Sequence, residues 1–221
     1  MKKINVVWGA LALVLLFSFS VGAASFQVDG SYLFGFGEHG SFKSESNGFA
    51  VHGSVEIIPN VLVDGSFLSL NYTKLGTDKI TTEVPEKALS ERLVTFGGLY
   101  QVVSDQDLQV FVGAGLANYN FEAGKDTKVE GKGKGIYGKL GLNFELMPKV
   151  NLLADLSYAP KFKYEEKDGT FVTARATVSY DLFNDISLQG TAKYYKTDVS
   201  GQTGDVTSAN TLVGGGVVFS F

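Results

Sequence analysis

The side chains best suited to acid–base or nucleophilic chemistry are two histidines and the polar residues near one of them. His52, Ser54 and Glu56 occupy positions i, i+2 and i+4 of one segment. A hydrolase needs a base, usually histidine, beside a nucleophile and an orienting carboxylate. Same-face residues of a strand are about 6–7 Å apart, which is too far for direct triad hydrogen bonds. We therefore predict no catalytic residues, and we interpret His39 as a solvated loop residue.

Neither metal-binding nor phosphate-binding patterns are convincing. The two histidines fall on different elements and the chain has no cysteine, so we predict no metal ligands and no cofactor. A glycine-rich stretch carries four lysines, but a phosphate-binding loop also needs a following helix and a Ser or Thr. We interpret this stretch as a flexible solvated loop, with contact to an anionic surface glycolipid or a partner as the alternative; its lysines are Lys125, Lys128, Lys132 and Lys134.

The overall charge is mildly negative, with 19 basic and 23 acidic residues. Because no basic stripe is present to neutralise phosphates, we predict no nucleic-acid partner. The beginning of the chain differs from the rest: Lys2 and Lys3 precede an uncharged apolar run, which ends in Val21-Gly22-Ala23-Ala24. This pattern predicts a signal peptide over residues 1–24, cut after Ala23 or Ala24, with a retained membrane anchor as the alternative. Residues 25–221 then form one domain.

From Phe26 to Phe221 the dominant sequence period is two, as expected for β-strands. Four tight turns alternate with five longer polar connections, of which Lys74–Glu91 is the longest. Such alternation is typical of a barrel with short turns at one end and long loops at the other. We predict ten strands over residues 26–37, 49–58, 61–73, 92–103, 108–121, 135–147, 150–160, 170–183, 186–196 and 211–221.

The apolar side chains of these strands are sorted by height, which favours a bilayer as their surroundings. Aliphatic residues and glycines lie in the middle of the strands, and aromatic residues lie at both ends. Two aromatic girdles are expected where a barrel meets the two membrane interfaces, whereas a soluble core has no such requirement. The girdle nearer the long loops is predicted to contain Phe34, Phe36, Phe49, Tyr158, Phe171 and Tyr194. A soluble barrel with a charged exterior is the alternative.

With the apolar face outward, the ionisable groups of the strands must face the lumen. The predicted lumen charge network consists of His52, Glu56, Asp64, Lys139, Glu145, Asp155, Arg175, Asp181 and Lys193. Counting from the short turns places the carboxylates in the periplasmic half and the cations in the outer half, on the order of 10 Å apart. Two interpretations stay open, a side-chain-filled barrel and a narrow, charge-graded pore. Salt-proportional conductance altered by Arg175→Ala would favour the pore.

The last residues of the sequence carry a recognisable pattern. Val217, Phe219 and Phe221 alternate with polar or small residues and end in phenylalanine. This resembles the C-terminal signature of bacterial outer-membrane β-barrel proteins, and the overall plan is similar to small barrels of the OmpA and opacity-protein type. The resemblance implies that Phe219 and Phe221 are an assembly signal read by the barrel-assembly machinery.

Together these patterns predict an all-β, ten-stranded antiparallel up-and-down barrel that spans the outer membrane and is not an enzyme. Its expected function is structural or that of a narrow passive pore with a charge-graded lumen. One alternative is a surface binding or adhesion barrel acting through its outer loops, and another is a lipid-modifying or proteolytic enzyme. The expected partners are outer-membrane lipid and the barrel-assembly machinery, and the chain is expected to be a monomer.

Overall fold

The computed structural model describes residues 25–39, 42–77, 80–85, 88–105, 107–124, 129–165, 167–199 and 206–221. The predicted signal peptide lies outside these residues. Within them, no helix is long and apolar enough to cross a membrane.

Eleven antiparallel strands account for most of the described chain. They are β1 (Phe26–His39), β2 (Phe42–Ile58), β3 (Val61–Thr77), β4 (Ile80–Glu83), β5 (Leu89–Ser104), β6 (Leu108–Ala123), β7 (Val129–Met147), β8 (Val150–Tyr164), β9 (Lys167–Phe183), β10 (Ile186–Val199) and β11 (Val206–Ser220). Ten of them pair in a closed ring, because β1 pairs with both β2 and β11 and β2 also pairs with β3. The predicted ten-stranded barrel is confirmed. The additional strand, β4, pairs with β3 inside the segment predicted to be the longest loop.

The tight turns lie where the sequence placed them. In the two connections that begin with Pro59 and Pro148, the second residues, Asn60 and Lys149, have positive φ angles of 67° and 71°, a left-handed conformation that reverses the chain after a proline whose own φ is negative. Asparagine tolerates this left-handed conformation well, whereas lysine adopts it at a steric cost that the flanking strands impose. These turns fix the register of the strands on both sides of them.

The opposite ends of the strands extend further than predicted. Strand β2 begins at Phe42 rather than at residue 49, and β7 begins at Val129 rather than at residue 135. The predicted loops are therefore too long. These strand ends are rich in glycine and charged residues, and they have no apolar face. A strand that continues out of the bilayer needs no such face, because the neighbouring strands supply its backbone hydrogen bonds.

The two faces of the strands differ as a barrel in lipid requires. On β1, the Phe34 side chain is 54% exposed on the outer surface, whereas the adjacent Leu33 is fully buried inside. Most of the aromatic residues predicted for the outer girdle are exposed in the same way. Phe171 is an exception, and its predicted outward position is wrong. It points inward and packs against Phe162, because the outward set of β9 runs through Val172 and the alternation turns Phe171 to the lumen.

Introducing a charge on the outer surface should be costly in proportion to its depth. Leu140 is exposed near the middle of β7, and Leu182 is exposed near the turn that ends β9. We expect Leu140→Arg to lower the free energy of unfolding by about 2–4 kcal/mol and Leu182→Arg by about 0–1 kcal/mol. Urea titration of the protein in lipid vesicles measures both. Equal losses for the two variants would contradict an outward apolar band centred in hydrocarbon.

Candidate functional site

Three layers of side chains follow one another through the lumen. Along β1, Asp29 belongs to a polar layer, Leu33 to an apolar layer, and His39 to the outer end. Strand β9 carries the same order in reverse, with Phe171 in the apolar layer and Arg175 in the polar one. The order follows from strand alternation, since every second residue faces the interior at increasing height.

The polar layer, called here the charge cluster, consists of Asp29, His52, Asp64, Lys139, Asp155 and Arg175. His52 lies between two carboxylates, with its Nδ1 atom 2.9 Å from Asp29 Oδ2 and its Nε2 atom 2.7 Å from Asp64 Oδ2. A neutral imidazole can donate only one of these hydrogen bonds, whereas the doubly protonated ring donates both. All six side chains are largely buried.

The cations of the cluster reach the carboxylates directly. Lys139 Nζ donates to Asp64 Oδ2 across the barrel at 2.8 Å, and Arg175 Nε donates to its cross-strand neighbour Asp155 at 2.6 Å. Arg175 Nη1 also lies 3.7 Å from Asp29. The expected gap of about 10 Å between acidic and basic layers is therefore absent at the charged atoms, because the long Lys and Arg side chains close it.

Four of the predicted network residues lie outside this cluster. Glu56 accepts a hydrogen bond from the backbone of Asn60, and Asp181 accepts one from Ser187 at 2.6 Å, so both serve the periplasmic end. Glu145 is exposed at the periplasmic rim. Lys193 faces the lumen beside Arg175, its cross-strand neighbour, and both side chains line a void of about 30 Å³, which has room for water.

The periplasmic end is open and polar. A cavity of about 390 Å³ enters the barrel there and reaches the charge cluster. Its lining includes Gln27, Phe111 and Asn143 as well as Glu56 and Asp181. The charge cluster therefore lies at the inner end of this cavity.

Above the cluster, apolar side chains fill the lumen. This apolar layer comprises Leu33, Leu68, Leu70, Leu93, Tyr137, Phe162, Phe171 and Leu212, all at most 2% exposed. Phe162 and Phe171 stack on each other with ring centroids 5.4 Å apart. Bulky inward residues from seven strands meet here, and ten strands enclose little more space than such side chains occupy.

Two glycines make room for one member of the layer. Gly97 and Gly115 face each other on β5 and β6, and a Cβ atom added to either would lie against the Tyr137 hydroxyl group. The Tyr137 phenol therefore lies against the inner wall at these glycines, in the space that side chains occupy on the other strands. This close approach explains why glycine occupies both positions.

A third cavity, called here the outer cavity, lies above the apolar layer. It has a volume of about 780 Å³, and its walls are mostly apolar. At its base Glu91, 3% exposed, accepts a hydrogen bond from the Tyr119 hydroxyl at 2.6 Å and another from the Tyr195 hydroxyl. The Tyr72 hydroxyl, also buried, has no hydrogen-bond partner among the described residues.

The sequence prediction missed this outer site because it assigned Glu91 to a loop. A signal was present, however, since Glu91, Leu93 and Thr95 alternate with residues of the outer face on β5. Extending the predicted strand by one residue would have included Glu91 in its inward-facing set. His39 is placed at the same cavity, where its two ring nitrogens lie within hydrogen-bonding distance of Ser44 and Ser208, and so it is part of the inner wall.

The His52, Ser54 and Glu56 triplet does not form a catalytic arrangement. Both nitrogens of His52 face aspartates, and Glu56 is directed to Asn60 and Ser25. A general base must face the proton that it removes. Neither nitrogen of His52 faces Ser54.

Comparison with known proteins gives the chain its family. The sequence profile described as "Outer membrane protein beta-barrel domain" matches residues 9–181 of the 221. No curated protein matches the chain in sequence.

Several solved barrels are similar to the chain. For NspA, a Neisserial surface protein, the TM-score is 0.49 at 10% identity, with 90% of this chain and 99% of that chain covered. For OprG from Pseudomonas aeruginosa the TM-score is 0.42 at 9% identity, with 90% of this chain and 96% of that chain covered. For Ail, the attachment invasion locus protein of Yersinia pestis, the TM-score is 0.40 at 13% identity, with 88% of this chain and 98% of that chain covered. Because the family profile spans most of the sequence, the chain belongs to the outer-membrane protein β-barrel family, and it resides in the outer membrane.

Proposed function

We propose that this protein is a non-conducting structural barrel of the outer membrane with no reaction of its own. The observation that supports this is the apolar layer. Its side chains are almost completely buried across the width of the lumen, between the periplasmic cavity and the outer cavity. Ions avoid such a layer, because a charge that leaves water needs compensating polar partners.

The charge cluster also fits a structural role better than the narrow, charge-graded pore of our first expectation. A conducting pore offers its charges to passing ions, whereas Asp64, Asp155 and Arg175 are engaged with one another and with Lys139 and His52. Ion pairs of this kind hold opposite walls together once they are desolvated. The cluster links β1, β2, β3, β7, β8 and β9 into one interior.

Recording in planar lipid bilayers tests the closed lumen. We expect the purified protein to give no stable conductance steps across a range of salt concentrations, because the apolar layer blocks the lumen. A known porin incorporated under the same conditions is the positive control. Reproducible steps that grow in proportion to salt and change in Arg175→Ala would refute the structural assignment and support the pore.

A second candidate function is surface binding at the outer end. It is favoured by the extension of the barrel strands past their predicted ends and by the pairing of β4 with β3. Replacing residues 78–88 by a short turn removes β4 without shortening β3 or β5. Attachment of expressing cells to immobilised glycans and matrix proteins should then fall while heat-resistant gel mobility is kept. Unchanged attachment would exclude this segment as the binding element.

The predicted partners fit the proposal. Lipid contact is supported by the exposed apolar outer surface. Phe219 and Phe221 are exposed at the periplasmic end, where Phe221 stacks on Phe26 with centroids 6.1 Å apart. A role for this end in recognition by the barrel-assembly machinery and a monomeric state both stay predictions.

A further inference from the structure

Among the described residues that line it, the outer cavity combines apolar walls with one buried carboxylate group, that of Glu91. Its walls include Phe42, Leu75, Leu89, Phe121 and Val199, contributed by five different strands. A volume of about 780 Å³ lies in the range of small-molecule sites, which are mostly apolar with a few fixed polar groups. The cavity therefore has the size and lining of a ligand site.

Among the described residues, the carboxylate at the base makes hydrogen bonds but no ion pair. Phenol groups of Tyr119 and Tyr195 donate hydrogen bonds to Glu91. In the parts of the chain that the structure describes, no lysine, arginine or histidine forms an ion pair with it. A carboxylate accepts about four hydrogen bonds, so Glu91 retains capacity for another donor. A buried charge without a counter-charge is unfavourable, and a cation entering from the cavity would relieve this.

The surroundings of Glu91 add to the preference for a cation. The Tyr72 hydroxyl group, 2% exposed, lies beside Glu91, Tyr195 and Asn210 without completing a hydrogen bond among the described residues, and it lines the same cavity. Tyr119 and Tyr164, whose ring centroids are 5.9 Å apart, line it as well, and such rings attract ammonium groups through their faces. Of the other ionisable groups, Lys167 is exposed at the rim and His39 is held between two serines.

We propose that the outer cavity binds a small apolar molecule that carries a protonated amine. The ammonium group donates to Glu91 at the base, and the apolar body lies along the walls. An anionic ligand of the same shape would be repelled by Glu91, and a neutral one would leave its charge uncompensated. The site does not depend on the closed lumen, since it lies entirely on the outer side of the apolar layer.

Three indole compounds of nearly equal shape test this choice of ligand. Tryptamine carries an ammonium group, tryptophol a hydroxyl group and indole-3-propionate a carboxylate group. Binding is measured by equilibrium dialysis against the full protein in lipid nanodiscs, with empty nanodiscs as the reference for partitioning into lipid. We expect saturable binding of tryptamine, binding of tryptophol weaker by roughly tenfold or more, and no binding of the carboxylate.

Two variants locate the site. Glu91→Gln should weaken tryptamine binding by roughly tenfold or more and abolish the preference over tryptophol. Leu75→Trp fills the cavity from its wall while keeping the Glu91 carboxylate, and it should abolish binding of both compounds. Glu130→Gln, at an exposed ion pair with Lys132, is the matched control and should bind as the unmodified protein does. Heat-resistant gel mobility verifies that each variant is folded.

Absence of saturable tryptamine binding above empty nanodiscs would overturn the proposal. So would equal binding of tryptamine and tryptophol. If Glu91→Gln does not fold, Leu75→Trp decides, because unchanged binding in a folded Leu75→Trp protein places the ligand elsewhere.

Discussion

Replacing Arg175 by alanine should lower the free energy of unfolding by about 3–5 kcal/mol, as expected when one partner of a buried ion pair is removed. The guanidinium group lies 2.6 Å from Asp155 and 3.7 Å from Asp29. Without it, both carboxylates stay in the barrel interior with less compensation. Urea titration in lipid vesicles measures the loss.

An exposed ion pair provides the control. Lys196 Nζ lies 2.7 Å from Asp198 near the outer end of β10, with both side chains more than one third exposed. Because water already solvates both groups, Lys196→Ala should leave the free energy of unfolding nearly unchanged. If Arg175→Ala changed the free energy of unfolding as little as Lys196→Ala does, water rather than Arg175 would compensate the charges of the aspartates.

Truncating Phe171 to alanine should be comparably damaging, with a loss of about 3–5 kcal/mol in the free energy of unfolding. Its side chain is completely buried and stacks on Phe162. The truncation removes apolar contacts and leaves a void in a layer that is closely packed on all sides. The same vesicle-based titration measures it.

The conservative change Phe171→Leu shows whether the loss comes from missing side-chain volume or from any substitution at this position. It keeps most of the volume and should cost less than about 1.5 kcal/mol. If Phe171→Ala is as stable as the unmodified protein, the side chain is in contact with lipid or water, and the inward position is refuted.

Much of the fold could be predicted from local sequence, and the reasons are physical. At the periplasmic end, Pro59–Asn60 and Pro148–Lys149 combine turn-forming residues with strands that must face lipid on one side. The alternation of apolar and polar residues is strongest there, because one face of the strand is in hydrocarbon and the other is not. The strand ends next to these turns were predicted to the residue.

The outer ends were poorly predicted because the environment changes there. Residues 42–48 and 129–134 are in strands although their sequence has no apolar face. Beyond the bilayer, only the backbone ladder holds such residues in place. Glu91 was missed for this reason, and so was the outer cavity that it serves.

Contacts across the lumen were beyond the reach of the sequence. The types of residue in the charge cluster could be predicted, because alternation assigns each one to the interior. Their partners could not, since Lys139 meets Asp64 from a strand on another part of the ring. The tilt and stagger of the strands determine which residues of different strands lie at the same height in the barrel, and no single segment of the sequence specifies either.

The pairing of β1 with β11 has a consequence for how the molecule forms. This seam runs from Gln27 opposite Ser220 to His39 opposite Ser208, and Phe26 and Phe221 exchange backbone hydrogen bonds at its lower end. Every other junction of the ring joins strands that are close in sequence, so hairpins can assemble early and locally. Until the seam forms, the curled sheet has two bare edges, whose unpaired amide and carbonyl groups each cost several kcal/mol in hydrocarbon. Ring closure and entry into the bilayer are therefore one coupled event, and the chain cannot be threaded into lipid strand by strand.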